Sequence, residues 1–320
     1  MTMSKPHKSK IGGQALIEGI MMKGVYKTAM ACRLPDGTID LEVWDDNNGK
    51  DAPWYKKTPL IRGSFNFISS LITGYKCLMK SAEKQMTDED EEEEMSKFEQ
   101  WLNDKLGEKL MTVITTIAMV LGLVMSLFLF KFIPTVITKP LADADMHILR
   151  TAVEGVLKII IFIAYLALTS KMKDIRRTYE YHGAEHKTIA CHEAHEELTV
   201  ENVRNHSRFH PRCGTSFLLI TLFTSIFVFC FIPSFDTLSK TAKIFARLGL
   251  QVLLLPLIIG ISYEIIRFAG RVDNKFTRII SAPGLKLQHL TTREPDDSQI
   301  EVAIAAMKPC IPENMEEDNW

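Results

Sequence analysis

Six of the nine histidines fall between positions 182 and 210: His182, His186, His192, His195, His206 and His210. Imidazole ligates metals in its neutral form and exchanges protons near pH 7, so this crowding points to metal or proton chemistry. Within it, Tyr181-His182-Gly183-Ala184-Glu185-His186 contains a His-x-x-Glu-His pattern. On a helix, His182 and His186 lie one turn apart on one face, as two imidazoles sharing an ion require. Glu185 stands near that face, where a carboxylate can orient water or take its proton, as the glutamate of reversed-motif zinc peptidases does. A third ligand must come from elsewhere. His192 and Glu193 lie roughly 10–13 Å further along a continuous helix, and Cys191 points to the opposite face. The segment RFHPRCG supplies His210 and Cys213 at the His-x-x-Cys spacing of a short knuckle, with Pro211 and Gly214 shaping the turn. Ligation by His182, His186, His210 and Cys213 together gives a closed, structural site. With either of the last two unligated, the site is open and catalytic. Nitrogen and sulfur donors select zinc or a neighbouring transition metal over magnesium or calcium. His192, His195 and His206 read as polar surface, and Cys230 as packing inside an apolar run.

Four apolar segments frame this region. Leu110–Phe130 and Gly214–Phe235 carry no charge and are long enough to cross a bilayer as helices. Leu248–Tyr263 is shorter, with Pro256 inside as a kink. Thr151–Ser170 holds Glu154 and Lys158, four apart on one face, which can pair or snorkel. The reading is a mainly α, polytopic helical membrane protein of about four transmembrane helices. Lysine and arginine crowd the segment 171–213 and the stretch past the last span, while the connections around Ala142 and Leu238 carry few. By the positive-inside rule, the histidine-rich loop and both termini are cytoplasmic. The N-terminal MTMSKPHKSK is polar and precedes no apolar cleavage signal, so no signal peptide is expected.

The rest reads as small cytoplasmic parts. Ala29–Leu34 and Thr38–Trp44 flank Pro35-Asp36-Gly37, a turn sequence, and predict a β-hairpin. Ile61–Lys80 has apolar residues at helical spacing, for an amphipathic helix lying on the membrane surface or packed on the hairpin. Asp88–Glu94 is an acidic run read as a solvated linker. The proline and acids at 294–297 open a helix whose apolar face is Ile300, Ala303, Ile304 and Met307, ending before Pro309. The glycines Gly12, Gly13, Gly19 and Gly24 lack the Gly-Lys-Ser/Thr ending of a phosphate loop and mark a tight loop against the membrane domain. The expected organisation is an N-terminal region 1–86 and a linker 87–109. A membrane domain 110–270 bearing the loop 171–213 follows, then a C-terminal segment 271–320. Thirty-eight basic residues against 39 acidic ones exert no global pull on nucleic acid. Six scattered cysteines read as reduced thiols, with at most one or two as ligands.

Several stretches together look familiar: GGQALIEGIMMKG, PLIRG, YHGAEHKTIACHE, LTVENVR, HPRCGTSF and the run from Ser281 through Ala306. They resemble the YqhQ-like family of bacterial membrane proteins, a domain of unknown function often labelled a predicted metal-dependent enzyme. The resemblance runs from about Ile11 to about Met307 and implies a bacterial source and a plasma-membrane location. The acidic run and the last dozen residues fall outside it.

Two functions compete. One is a metal-dependent hydrolase at the cytoplasmic membrane face, with Glu185 as base and a lipid-linked or membrane-protein substrate. The other is a scaffold or assembly factor for membrane proteins whose metal is structural. A transporter is disfavoured, because the uncharged spans hold no carboxylate chain for an ion path.

Overall fold

The computed structural model describes residues 7–46, 52–86, 110–141, 146–233, 235, 237–272 and 274–319. The acidic run and the connection at Ala142 lie outside them. The chain divides into two compact units, Met1–Gln85 with Ile163–Trp320, and Met86–Phe162.

The first unit opens with four strands, β1 Gly12–Leu16, β2 Gly19–Lys23, β3 Lys27–Arg33 and β4 Ile39–Asp45, in an antiparallel sheet of order β1-β2-β3-β4. The predicted hairpin is its β3–β4 half. The turn forms as expected: Gly37 takes φ +86°, and the Thr38 amide donates to the Asp36 carboxylate at 2.9 Å. The glycine-bearing segment expected to be a tight loop is instead strands β1 and β2. Glycines hid the strand pattern: β2 is buried along nearly its whole length, which erases alternation, and β1 opens on the exposed Gly12 and Gly13.

Helices α1 Trp54–Lys57 and α2 Ile61–Glu83 follow. Small residues of α2, Gly63, Gly74, Cys77 and Ser81, face inward, while Phe65, Ile68, Leu71, Ile72 and Tyr75 are exposed. Cys77 joins Leu16, Met21, Met30 and Cys32 in a core on one face of the sheet.

The second unit contains α3 Leu110–Leu127, a π-helical turn Phe128–Phe132, α4 Ile133–Ile137 and most of α5 His147–Thr169. Glu154 is buried and accepts from Thr138 Oγ1 at 3.1 Å and from Arg150 Nε at 3.2 Å.

The segment 171–213 is not a loop. It is mostly helix α6, Lys173–Glu193, with a short α7, Val200–Arg204. Then come α8 Gly214–Cys230, α9 Lys240–Arg271, α10 Lys275–Thr291 and α11 Asp297–Met307. Helix α11 is the expected docking helix, opened by a capping box between Asp296 and Gln299. Its Ile300, Ala303 and Met307 share one core with Tyr181, Ala184 and Ile189 of α6 and with Ile20, Met22, Ala29 and Ala31 of the sheet. The N-terminal region, the histidine segment and the C-terminal segment therefore fold together, with the sheet sandwiched between α2 and the α6–α11 layer.

Among the described residues, three stretches are long and apolar enough to cross a membrane: Thr116–Ile137, Ile148–Thr169 and Thr241–Arg271. The expected span Gly214–Phe235 is an apolar helix only over Gly214–Cys230, shorter because the helix ends at Phe231. Side chains such as Ile117, Leu121, Val124, Leu168, Val252 and Leu253 are exposed, compatible with lipid contact.

Candidate metal centre

Helix α6 is polar in sequence yet buried almost all round from Tyr181 to His192. A buried polar side chain must find partners, and here many are backbone carbonyls from the segments that wrap the helix. Lys187 Nζ donates to Arg204 O at 3.0 Å and His206 O at 2.9 Å. His182 Nδ1 lies 2.8 Å from Thr291 O, and His186 Nδ1 lies 2.7 Å from Arg208 O. A carbonyl can only accept, so both Nδ1 atoms carry the proton and both Nε2 atoms are left for another partner. Backbone bonds of this kind fix imidazoles that ligate metals.

That partner is shared. Cys213, the residue that caps α8, sets its Sγ 3.2 Å from His182 Nε2. The rings of His182 and His186 stand 4.4 Å apart. The donor atoms of His182, His186 and Cys213 all lie within 4.8 Å of one another. Ligand atoms held tetrahedrally at about 2.0–2.3 Å from a zinc ion stand roughly 3.3–3.6 Å apart, so a small adjustment fits this trio to an ion.

The trio's charges agree with that chemistry. Burial pushes the Cys213 thiol up, but His182 and His186 outweigh it and hold the group well below its ordinary value. Burial works against protonation of His182, yet the Cys213 charge beside it raises the imidazole to about 9. A lowered thiol favours the thiolate, which is the form that ligates.

Glu185 lies on the same turn. Its Oε1 accepts from the Gly13 amide at 3.0 Å. Its Oε2 is buried with no hydrogen-bond partner among the described residues. Burial is the largest influence on the carboxyl and raises it; His182 and His186 oppose this. The close approach of β1 explains the glycine: a Cβ at Gly13 would stand 2.7 Å from Met21 O and 3.0 Å from Glu185 Cδ. Gly183 answers a similar need, since a Cβ there would overlap the Arg293 carbonyl, two residues past the Thr291 that holds His182.

The fourth expected ligand stands apart. His210 is not in the converging group, although its ring centroid is 5.5 Å from that of His186. Its Nε2 turns toward Glu193 and Arg212, at 3.7 and 3.2 Å, and Gln288 bonds its backbone. The closed four-ligand set is therefore not assembled. His192, expected at the surface, is 6% exposed and bonds Asp318 at 2.9 Å. Nothing local in the sequence announces that pairing, because its partner lies 126 positions away. As expected, His195 is exposed, and Cys191 lies outside the converging trio.

A family described as "Protein of unknown function (DUF1385)" matches residues 58–313, which include all three converging ligands and Glu185. The chain is also similar to "Uncharacterized protein YqhQ" of Bacillus subtilis (strain 168), with 34% identity over 304 residues, covering 94% of this chain and 92% of the relative. No solved structure matches it.

Proposed function

Because the chain belongs to the DUF1385, YqhQ-like family, whose description assigns no chemistry, we propose a function from its own residues: a membrane-integrated, metal-dependent hydrolase working at the cytoplasmic membrane face. The observation that carries this reading is the convergence of three ligands, His182, His186 and Cys213, beside a buried carboxylate oxygen of Glu185 that has no hydrogen-bond partner among the described residues. Three protein ligands leave one position of a tetrahedral ion open, as catalytic zinc sites do. A bound zinc ion supplies Lewis acidity, polarising a carbonyl or phosphoryl group and acidifying water. The chain's own part is to hold Glu185 Oε1 on Gly13 so that Oε2 accepts a proton and returns it to the leaving group. A carboxyl raised by burial suits that exchange near neutral pH.

The membrane setting is supported by the three long apolar helices and the exposed apolar face of α2. The lysines and arginines of 171–213 and beyond Arg267 favour a cytoplasmic site and cytoplasmic termini. A lipid-linked substrate suits an apolar cavity of about 610 Å³ lined by Leu219 and Phe223 of α8, Ile265 and Phe268 of α9, and Pro283 of α10. Leu219 lies roughly 9 Å along α8 from Cys213. The alternative is a scaffold or assembly factor with a structural ion. It is favoured by the near-complete burial of His186 and Cys213, 1% and 4% exposed, in a helix central to the core.

Glu185→Gln separates the two. In purified protein it is expected to retain zinc while failing to complement a deletion strain, because an amide accepts no proton. Cys213→Ala is expected to lose one zinc per chain. A Glu185→Gln protein that complements fully excludes the hydrolase and leaves the scaffold.

A further inference from the structure

We infer that His7, His192 and Asp318 form a second metal centre, taking a divalent transition-metal ion through two imidazoles and one carboxylate. All three are buried, at 7%, 6% and 0% exposure. The Nε2 atoms of His7 and His192 both point at one oxygen, Asp318 Oδ2, each at 2.9 Å. The donor atoms lie within 4.8 Å of one another. The rings meet edge to face, centroids 5.3 Å apart at 86°, so their nitrogens converge on a point rather than stack.

The carboxylate is fixed by its other oxygen. Asp318 Oδ1 accepts from Ser9 Oγ and from the Lys10 amide, each at 3.0 Å. Oδ2 is thus committed to the two rings. An anionic carboxylate and two imidazoles form a nitrogen–oxygen ligand set that suits zinc, manganese, iron, cobalt or nickel. Bound at about 2.0–2.2 Å, such ligand atoms stand roughly 3.3–3.5 Å apart, so each Nε2, now 2.9 Å from Asp318 Oδ2, draws back from it by about half an ångström. His195 supplies a fourth donor or leaves the position to water. Its ring centroid is 5.1 Å from that of His7, and its residue is exposed at φ +59° just past α6.

The two centres are separate. His192 lies six residues beyond His186, roughly 9 Å along α6. Between them stands Arg212, paired with Glu193 and donating to Ser9 O at 2.6 Å. A cation in that position keeps the ions apart. The second centre fastens residues 7–10 and 318 to α6, immediately ahead of the strand whose Gly13 holds Glu185. It rests on its own residues and stands whether or not the protein is a hydrolase.

The test is cobalt binding by the full-length protein in detergent, stripped of metal and then titrated with Co²⁺. Dialysis counts the ions, and near-ultraviolet absorption reports thiolate-to-cobalt charge transfer, which the second centre, having no cysteine, cannot give. Wild type is expected to bind two ions per chain. Cys213→Ser should bind one and lose the charge-transfer band. His7→Gln with Asp318→Asn should bind one and keep the band, which also shows that the α6 core is folded. Should that double variant fail to fold, Asp318→Asn alone is read the same way. A His7→Gln/Asp318→Asn protein that binds as much cobalt as wild type overturns the second centre, leaving a hydrogen-bonded clasp. So does a wild type whose only cobalt carries the band. If wild type and Cys213→Ser each bind one ion without the band, the first centre fails and the second stands.

Discussion

At the scale of single residues, the same imidazole serves different ends according to what its second nitrogen meets. In His182 and His186 a backbone carbonyl takes Nδ1, and Nε2 is presented to Cys213. His210 has no such arrangement. Burial holds it at about 4, with Arg212 reinforcing and Glu193 opposing that direction. An unfolded histidine takes its proton near 6.5. Between those values the unfolded chain binds more protons, so stability falls as pH drops from about 6.5 toward 4. The loss should approach roughly 3 kcal/mol. Thermal unfolding of metal-stripped protein should therefore weaken across that window, and His210→Asn should flatten the dependence. An unchanged slope in the variant would assign it to other groups. The sequence made His182, Glu185, His186 and Cys213 legible because helical spacing and the edge of an apolar run are local signals. It misled at His192 and His210, whose surroundings are set by Asp318 and Glu193 through tertiary packing.

At the scale of elements, two helices depart from simple amphipathicity. Helix α6 is polar in sequence yet buried: carbonyls hold its polar side chains while Tyr181, Ala184 and Ile189 pack into the core. Its close packing depends on Gly183. Gly183→Ala should push the Thr291–Pro295 segment away, cost about 1–3 kcal/mol as overpacking does, and draw Thr291 O off His182. Zinc affinity should then fall about 10- to 100-fold with every ligand intact, as a competing chelator would measure. An alanine variant with wild-type affinity would mean that the carbonyl does not orient the ring. Helix α2 turns small residues inward and large ones outward, against the usual order for a helix in water. A spin label at Ile72→Cys in liposomes should collide more with oxygen dissolved in lipid than with an aqueous nickel chelate. The opposite ranking would exclude a lipid-facing α2. Periodicity announced this helix; it did not say which face met protein. Strands β1 and β2 escape a pattern reading because glycines interrupt β1 and the near-complete burial of β2 leaves no alternation to read.

At the scale of the whole molecule, the apolar runs were legible because crossing a bilayer demands a long uncharged stretch wherever it falls. The shared core was not, since contacts among Met22, Ala184 and Ala303 leave no trace in any short window. The proposed topology makes a direct claim: Leu238→Cys should react with an impermeant maleimide on intact cells, and a cysteine at Lys8 should not. Labelling at Lys8 instead would reverse the orientation and put both metal centres outside. The core itself carries a consequence for biosynthesis. Its sheet is made first, and its covering helix α11 comes only after the last apolar helix has been synthesised. At about 5–20 residues per second, Ile20, Met22, Ala29 and Ala31 wait on the order of ten seconds to a minute for that cover. A chain that missed one span would put α11 on the wrong side of the bilayer and leave the sheet open to proteases. In the proposed topology, closure of the core thus depends on correct membrane insertion.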